Sequence, residues 1–373
     1  MSKISDVNSL RSLSILDIKE KVKQIKDQLP NDEKNIITYS KNFTLSLSNY
    51  CQNECGYCFY NYKVPKVDGQ GNVVLLSNDR MRTLIQKALQ FGCNEALLMS
   101  GERPESFKEV RNELLNRECR EYIEFVVDIC SYLLDLNILP HTNIGTLSYD
   151  ELLRLKNFNA SMGLMLESTS MRLFEKGGVH EKSLKKNPES RIEHIKNAGR
   201  LKIPFTTGIL CGIGENFKER VHDLHLIKSI HEQYGHIQEV IIQNFIYKKG
   251  ISYKPKKPIS IKEMLKITGI ARIIYENDIA VQVPPNLIKG YEIDFIEMGA
   301  NDFGGISPIT LDYINPKKKW PQIDNLAKIC RKNGFQLKER LPIYDKFITK
   351  EFCPENIKKR LDNINIDVKY TDF

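Results

Sequence analysis

The segment Phe43-Thr-Leu-Ser-Leu-Ser-Asn49 runs, after a single tyrosine, into the stretch Cys51-Gln-Asn-Glu-Cys55-Gly-Tyr-Cys58. The first segment alternates apolar and polar residues, which predicts a short β-strand. The three cysteines, at i, i+4 and i+7, therefore lie in the loop that leaves the end of that strand. Gly56 allows the tight turn that brings three thiolates of one loop around one centre.

Three thiolates form an unusual ligand set. A structural zinc ion takes four protein ligands, and the sequence places no second cysteine pair or close Cys/His pair beside these three. A 4Fe–4S cluster held by three cysteines leaves one iron without a protein ligand, free to bind a substrate or cosubstrate. Two alternatives remain: a redox pair formed by Cys55 and Cys58, and a non-catalytic module with zinc at the three cysteines. Iron and sulfide analysis separates the zinc module from the cluster.

Strands and helices alternate about six times after the first strand, a succession that is typical of a parallel sheet covered by helices. Predicted strands span residues 43–49, 95–99, 138–143, 160–166, 205–211, 237–243 and 279–283. Predicted helices span residues 80–91, 121–136, 149–155, 191–201, 217–234, 261–275 and 326–333. Polar or glycine-rich residues recur where the strands end, which is the edge where barrels and open α/β sheets place their sites.

The expected fold class is α/β, a partial (β/α)6 barrel of the TIM type, because a full eight-unit barrel needs about 250 residues. An open doubly wound sheet is the alternative. Residues 1–40 are expected to form an N-terminal cap with an amphipathic helix that ends at Pro30. Residues 41–250 form the barrel core, and residues 251–373 form a C-terminal extension that completes the barrel. The glycine-rich segment 299–305 is predicted to be a loop.

Composition and charge limit the cellular location and the kinds of binding partner that we expect for this protein. The chain of 373 residues is 41% hydrophobic, which is ample for a core. Its nine cysteines lack the spacing of a disulfide framework, it begins without an apolar leader, and no apolar run approaches the ~20 residues that span a bilayer. We therefore expect a cytoplasmic protein with no membrane partner. The net charge of +8 comes from lysines spread along the chain, with small clusters at Lys254-Pro-Lys-Lys257 and Lys317-Lys-Lys319. Because no basic run is interleaved with aromatic residues, a solvated surface is favoured over a nucleic-acid site.

The spacing Cys-x-x-x-Cys-x-x-Cys, with the aromatic Tyr57 before the last cysteine, resembles the signature of the radical S-adenosylmethionine (SAM) enzymes. The resemblance implies a 4Fe–4S cluster on Cys51, Cys55 and Cys58, whose open iron chelates the amino and carboxylate groups of SAM. It also implies one-electron reduction of SAM to methionine and a 5′-deoxyadenosyl radical, which abstracts a hydrogen from the substrate. In such enzymes the cofactor supplies the hard chemistry, and the protein supplies position and shielding.

The segment Ser100-Gly-Glu-Arg-Pro-Glu105 follows the second predicted strand and resembles the Gly-Gly-Glu motif of those enzymes. The resemblance implies that Ser100, Gly101 and Glu102 receive the ammonium group of SAM, with serine in place of the first glycine. Glycine lets the backbone approach a ligand closely, and a carboxylate accepts a strong hydrogen bond from an ammonium group. An ordinary surface turn is the alternative.

Two further strand ends carry candidate SAM contacts. After the fourth strand, Glu167 and Ser168 suit the ribose hydroxyls and Arg172 suits the carboxylate, while a helix cap is the alternative for the serine side chains. After the fifth strand, Gly208-Ile-Leu-Cys-Gly-Ile-Gly-Glu215 resembles a pattern whose backbone lies against adenine. The cofactor-binding residues that this second resemblance implies are Gly212, Gly214 and Glu215.

Longer stretches resemble one family within the radical SAM enzymes, the first subunit of FO synthase, over most of the chain. The stretches are 93–105, 139–145, 159–170, 203–210, 234–245 and 301–308. The resemblance implies a lyase that makes the deazaflavin 7,8-didemethyl-8-hydroxy-5-deazariboflavin (FO), from which methanogens build a hydride carrier.

The resemblance also implies the substrate and the protein partners. A partner subunit couples a tyrosine-derived hydroxybenzyl group to 5-amino-6-ribitylaminouracil. The first subunit takes this adduct, abstracts a hydrogen, closes the central ring and eliminates ammonia, using an electron donor protein. The alternatives are the partner subunit or its relatives in menaquinone synthesis, which carry Gly-Gly-x-His-Pro where this chain has Ser100-Gly-Glu-Arg-Pro104. That difference favours the first subunit.

The adduct carries a uracil, a ribityl chain and a phenol, so its pocket needs neutral hydrogen-bonding groups and some apolar wall. Candidates at the barrel mouth are His141, Asn143, Gln243 and Asn244, with Asp302 reaching in from the glycine-rich loop as part of a lid. His141 and Asp302 are the candidate catalytic residues. His141 suits proton transfer during ring closure or ammonia loss, because its unperturbed pKa is near neutrality. The alternative is that His141 only hydrogen-bonds the barrel rim.

Overall fold

Eight parallel strands close into a barrel, and a ninth strand extends it at one edge. The computed structural model describes residues 7–65, 71–361 and 364. The described strands are β1 Ile36–Ser48, β2 Glu95–Ser100, β3 Leu139–Asn143, β4 Ser161–Gly163, β5 Phe205–Cys211, β6 Ile237–Asn244, β7 Ala280–Gln282, β8 Asp302–Ile306 and β9 Gln336–Glu339. Strands β1 to β8 neighbour one another in chain order, and β8 and β2 both pair with β1, which closes the ring.

Helices connect the strands, and several begin at side chains that cap their first turn. The described helices are α1 Val7–Ser12, α2 Ile15–Lys26, α3 Asn78–Gln90, α4 Lys108–Leu115, α5 Tyr122–Asp135, α6 Tyr149–Lys156, α7 Pro188–Arg200, α8 Phe217–Tyr234, α9 Ile261–Tyr275, α10 Glu292–Glu297, α11 Ile323–Lys332 and α12 Glu355–Leu361. Ser14, Ser148, Asn216 and Ser260 each form a capping box with an acidic residue three positions later, which satisfies backbone N–H groups at the starts of α2, α6, α8 and α9. No helix in residues 7–65 or 71–361 has the length and apolar character of a membrane span.

The eight barrel strands are largely buried on both faces, as expected for a parallel sheet that helices cover on the outside, whereas the edge strand β9 has no buried residue. All seven residues of β5 are buried. In β1, Phe43 and Leu45 pack in the hydrophobic core, while Asn42 and Thr44 line the centre of the barrel. Because successive side chains of a strand point to opposite faces, β1 contributes both to the hydrophobic core and to the polar interior of the barrel.

The expected α/β barrel is confirmed, and the barrel closes fully. β7 and β8 both lie in residues 251–373, so this region completes the barrel, and the open-sheet alternative is wrong. The predicted loop at 299–305 is also wrong, because it contains most of β8. Glycine is needed at position 305 of this strand, because a Cβ there would come within 2.1 Å of the Asn42 side-chain nitrogen. The predicted domain boundary at residue 40 falls inside β1.

The chain after β9 closes the strand-start end of the barrel, which we call the floor. β9 pairs in parallel with the first four residues of β1. The Arg340 N–H then donates to the Tyr39 carbonyl at 2.8 Å. The Pro342 carbonyl accepts hydrogen bonds from Ser161 (2.6 Å) on β4 and from Gln238 (2.9 Å) on β6. One short segment therefore ties together opposite sides of the barrel.

Candidate active site

A cavity of about 370 Å³, which we call the central cavity, lies inside the barrel between its mouth and its floor. The three cysteines of the predicted cluster site, Cys51, Cys55 and Cys58, all line it. They lie on the loop that follows β1, and all three are free thiols. The structure therefore brings the predicted ligand set to one wall of one cavity.

Burial favours the protonated form of two of these thiols, Cys51 and Cys55, until a cation binds. Burial raises the pKa of the Cys51 thiol to about 11, and burial raises the pKa of Cys55 well above its ordinary value. A bound metal centre replaces those protons, because the thiolate is the ligand. Within the described ranges, no group of three or more His, Cys, Asp or Glu side chains is arranged to hold a single metal ion. A 4Fe–4S cluster makes a different demand, because each cysteine binds its own iron, so the donor set fits a cluster better than one zinc ion.

The segment Ser100–Glu102, which begins at the last residue of β2 and which we call the strip, packs directly against the cysteine loop. A Cβ on Gly101 would come within 2.0 Å of the Tyr50 carbonyl oxygen and 2.7 Å of Cys51 Cβ, so only glycine allows this approach. The Gly101 N–H donates to the Ser48 carbonyl at 2.8 Å. The Glu102 N–H donates to Cys51 Sγ at 3.2 Å. The strip and the cysteine loop therefore form one unit, and Ser100 at the end of β2 lines the same cavity.

The Glu102 carboxylate is buried and held from three sides. It accepts hydrogen bonds from Asn53 Nδ2 at 3.0 Å and from the Thr146 hydroxyl. The Arg191 guanidinium lies 3.7 Å away and donates through Nε to the Met165 carbonyl at 2.8 Å. Glu102 and Arg191 both line the central cavity, so this wall presents a fixed ion pair to a ligand.

Glu167 lies at a strained position opposite the cysteine loop. Its φ is +65°, and its N–H and carbonyl are held by Gly208 and Leu210 of β5 at 2.9 and 3.0 Å. Such backbone strain in a non-glycine residue persists where neighbouring structure enforces it, and it is concentrated at functional sites. Burial would raise the pKa of the carboxyl, but the Lys186 ammonium beside it holds that pKa well below its usual range. Lys186 also donates to the Tyr57 hydroxyl at 2.9 Å, so the predicted cofactor residues Glu167 and Tyr57 meet through Lys186 at the cavity wall.

Two predicted SAM contacts lie away from the central cavity. Ser168 is buried, and its hydroxyl accepts from the Ser170 N–H at 3.2 Å. Arg172 has 52% of its side chain exposed and forms a two-point ion pair with Glu219 at 2.9 and 2.6 Å. Neither residue lines the central cavity. The cation that does reach this wall near Glu102 is Arg191, which the sequence patterns did not single out.

The predicted adenine loop, Gly212 to Glu215, lines a separate opening on the outer side of the cysteine loop. Gly212 and Gly214 have φ of +101° and +117°, a region that favours glycine. The Glu215 carboxylate accepts from the Gly212 and Ile213 N–H groups at 2.7 and 2.8 Å and from Arg220 at 2.6 Å. Glu215 therefore fixes the shape of this loop.

The four predicted substrate residues line the central cavity: His141, Asn143, Gln243 and Asn244. His141 lies in the middle of β3 and not at a strand end, which corrects its expected position at the rim. Its Nδ1 lies 2.7 Å from the Ser161 hydroxyl, and burial lowers its pKa, so its imidazole is neutral at neutral pH.

Asp302 is at the floor of the barrel and is not part of a lid. It is the first residue of β8 and fully buried. Arg340 Nε donates to its Oδ2 at 2.6 Å, and Arg340 also bonds Glu239 at 2.7 Å. Burial raises the pKa of Glu239 to about 7 although Arg340 opposes it. Arg340 and Glu239 line the central cavity, and Asp302 lies behind them.

The comparisons with known proteins agree with one another on the family. The model of the radical SAM superfamily matches residues 45–227. A 7,8-didemethyl-8-hydroxy-5-deazariboflavin synthase of Methanococcus vannielii is 47% identical over 89% of this chain and 92% of its own length. The synthase of the same name from Methanocaldococcus jannaschii is 43% identical over 97% of this chain and 98% of its own length.

Solved structures with low sequence identity share the fold. The hydrogenase maturase HydG aligns with a TM-score of 0.70 at 16% identity, covering 89% of this chain and 71% of that chain. Methylornithine synthase (PylB) aligns with a TM-score of 0.68 at 18% identity, covering 90% of this chain and 95% of that chain. At these identities the likeness is one of architecture.

Proposed function

This chain belongs to the family of the 7,8-didemethyl-8-hydroxy-5-deazariboflavin synthases, or FO synthases, and we propose that it closes the deazaflavin ring of FO by radical SAM chemistry. One observation carries the proposal: three free thiols and the Ser100–Glu102 strip share the wall of one cavity, and the lining of this cavity includes neutral hydrogen-bonding side chains beside its ion pairs. The arrangement suits a cluster and a cosubstrate at the mouth and a polar substrate below them.

Cys51, Cys55 and Cys58 would hold the cluster. When bound, the cluster and SAM supply a carbon radical that takes one hydrogen atom from the substrate. The protein chain positions the reactants and excludes water from them. The cysteine loop, with the buried Cys55 and Tyr57, covers the mouth and keeps water from the reacting atoms.

The proposed SAM contacts are divided between two walls of the mouth. Glu102 and the backbone around Gly101 would accept from the ammonium group, and Arg191 would face the carboxylate in place of Arg172. Glu167 would accept from the ribose hydroxyls. Its Oε2 is buried and has no hydrogen-bond partner within 3.5 Å among the described residues, and His180 Nε2 lies 3.7 Å from it. The sequence also assigns Ser168 and the loop of Gly212, Gly214 and Glu215 to cofactor binding, and we propose that they support this wall from behind.

Replacing Glu102 with glutamine should weaken SAM binding by about 1.5–3 kcal/mol, because it removes a charged partner of the ammonium group. Calorimetric titration of the cluster-loaded protein with SAM measures this. Glu105→Gln is the matched control, since Glu105 lies three residues after Glu102, pairs with Arg103 at 3.6 Å and does not line the central cavity. Equal SAM affinity in the two variants would argue against the role of Glu102.

The substrate is proposed to be the adduct of a hydroxybenzyl group with 5-amino-6-ribitylaminouracil, bound below the mouth. Asn42 and Asn244 line this part of the cavity, and the Oδ1 atom of each is buried with no hydrogen-bond partner among the described residues. Buried polar atoms are usually satisfied, so these two mark acceptor positions for substrate N–H or O–H groups. Asn143 and Gln243 add neutral donors and acceptors, and Leu97 adds apolar wall.

His141 is proposed to move the protons of ring closure and ammonia loss. Its burial keeps the imidazole neutral, so it can accept a proton at neutral pH. Asp302 does not reach the cavity wall, so we assign it a positioning role through Arg340, which does. The outcome of this chemistry is a lyase reaction, in which the substrate gives one hydrogen atom to the radical, closes its central ring and releases ammonia. It also gives up one proton and one electron, and that electron would return to the centre that Cys51, Cys55 and Cys58 hold.

His141→Gln should separate radical formation from product formation. We expect the variant to bind SAM normally and to form 5′-deoxyadenosine slowly, while FO formation falls about 10²-fold, the lower end of the range of about 10²–10⁴-fold for a lost acid–base catalyst. Both products are measured by chromatography after anaerobic incubation with SAM, reductant and adduct. His222→Gln, an exposed histidine on α8, is the control. FO formation at the parent rate in His141→Gln would remove His141 from the site.

The same incubation with the parent protein tests the proposed function itself. About four irons with matching sulfide per chain, and FO formed from the adduct, are the expected results. One zinc without sulfide would contradict the proposal. A partner subunit is proposed to supply the adduct, and an electron donor protein is proposed to reduce the cluster.

A further inference from the structure

A second opening, which we call the outer cleft, lies on the side of the cysteine loop away from the central cavity. It has a volume of about 1020 Å³. Cys55 and Cys58 line both the outer cleft and the central cavity. The cysteine loop is therefore a thin wall, with the substrate on one side and an open surface on the other.

A lysine-rich segment forms one side of the outer cleft and is bonded to the cysteine loop. The Tyr253 N–H donates to the Gly56 carbonyl at 2.9 Å, and the Ser252 hydroxyl donates to the same carbonyl at 3.4 Å. The sequence then continues as Lys254-Pro-Lys-Lys-Pro258. Each proline fixes its own backbone φ and disfavours a helix before it, so the lysines are presented on an extended rim.

The outer cleft carries an excess of exposed positive charge. Two of its cations are neutralised locally, since Lys63 pairs with Glu54 and Arg220 with Glu215. Lys182, Lys254 and Lys256 are exposed, and none of them forms an ion pair within residues 7–65 and 71–361. The two remaining carboxylates keep their charge, although Glu263 caps α9 and Glu181 accepts from the Gly177 N–H at 2.8 Å. Six cations and four carboxylates line the outer cleft, so its net charge is +2.

We propose that the outer cleft is the docking surface of a small acidic electron-carrier protein, which reduces the cluster through the wall formed by Cys55 and Cys58. The proposal rests on the proposed function only in requiring a cluster at the three cysteines. One electron leaves the reduced carrier and enters the cluster, so the carrier is oxidised by one electron, the cluster is reduced by one, and no bond forms or breaks.

Charge and access both favour this face. Electron transfer weakens steeply with distance, and Cys55 and Cys58 line both the outer cleft and the central cavity. Exposed lysines raise the rate of encounter with an acidic protein without a large desolvation penalty. The net charge of +8 adds attraction at long range.

The test is the rate at which a chemically reduced acidic ferredoxin reduces the cluster-loaded protein, followed by stopped-flow absorbance without substrate. We expect Lys182→Glu/Lys254→Glu/Lys256→Glu to lower the second-order rate constant about tenfold or more at low salt. The difference should shrink as salt is added, because exposed charges are screened. Reduction by dithionite, which is small and needs no docking, should match the parent.

The control is Lys328→Glu/Lys332→Glu/Lys350→Glu, which changes the net charge equally at exposed lysines outside the outer cleft. It should react with the ferredoxin at nearly the parent rate. Equal losses in both variants, or no loss in either, would overturn the proposal. As a second measurement, backbone amide exchange of the parent with oxidised ferredoxin should show protection in residues 177–182 and 252–257. Protection confined to another face would also overturn the docking surface, whichever substrate the enzyme uses.

Discussion

Alanine in place of Cys51, Cys55 or Cys58 is expected to abolish SAM cleavage completely. The three thiols line one wall of the central cavity, and each is expected to bind a different iron. Two remaining thiolates leave a second iron open and the cluster loosely held. The expected result is low iron and sulfide content after anaerobic reconstitution and no 5′-deoxyadenosine above background.

Cys93→Ala is the matched control for this loss. Cys93 is also a buried free thiol, but its Sγ lies 3.5 Å from the Asn42 carbonyl and does not line the cavity. We expect this variant to keep its iron, its sulfide and its turnover. Full cluster content and turnover in Cys55→Ala would show that the ligands are assigned wrongly.

Arg340→Leu is expected to lower the free energy of unfolding by about 3–5 kcal/mol, the usual effect of removing one partner from a buried ion pair. Arg340 has 10% of its side chain exposed and bonds both Asp302 and Glu239, which are 0% and 7% exposed. Leucine leaves two carboxylates in the barrel without their cation. Chemical denaturation of the parent and the variant measures the difference.

Two further variants test whether charge is the cause. Arg340→Leu combined with Asp302→Asn and Glu239→Gln should recover most of the lost stability, because the amides are nearly the same shape and carry no charge. Arg360→Leu removes an exposed ion pair with Asp135 and should change stability by less than about 1 kcal/mol. If the triple variant stays as unstable as Arg340→Leu, lost packing of the arginine explains the effect.

The loss of unfolding free energy in Arg340→Leu should also depend on pH. The pKa of Glu239 is raised by burial from 4.5 to about 7 in the folded parent. Its folded pKa exceeds its unfolded pKa, so the folded state binds more protons, and stability falls as pH rises through this window. Removing the opposing Arg340 raises the folded pKa further. Between pH 4.5 and 7 both proteins lose stability alike, so this part of the destabilisation should appear as pH rises above about 7 and be greatest above the raised pKa of the variant.

The sequence predicted the parts of the fold that have a strong local signal. The helices at 217–234 and 261–275 and the strand at 205–211 were placed to the residue, because caps and continuous apolar runs mark their ends. The segment 299–305 was missed, because glycine is a poor strand former by propensity. Its fit depends on Asn42, which lies on a strand far away in the sequence.

The candidate site was predicted where adjacent residues carry the signal. The cysteines and the strip at Ser100–Glu102 are contiguous, and the structure brings them together. Arg191, Lys186 and Arg340 were missed, because each is a single cation outside any motif. Each gains its role from a carboxylate on another element, a pairing that composition and spacing do not reveal.

The floor of the barrel is completed only by residues that the ribosome makes late. β1 leaves the ribosome early, yet its first four residues pair with β9, which is made near the end of the described chain. Until that segment emerges, a sheet edge stays open and Glu239 and Asp302 lack Arg340. A cluster proposed to bind the three cysteines would therefore find a finished cavity only after translation has passed Arg340. A nascent chain interrupted before this point should be a substrate for chaperones and proteases, even though all three cysteines have already been made.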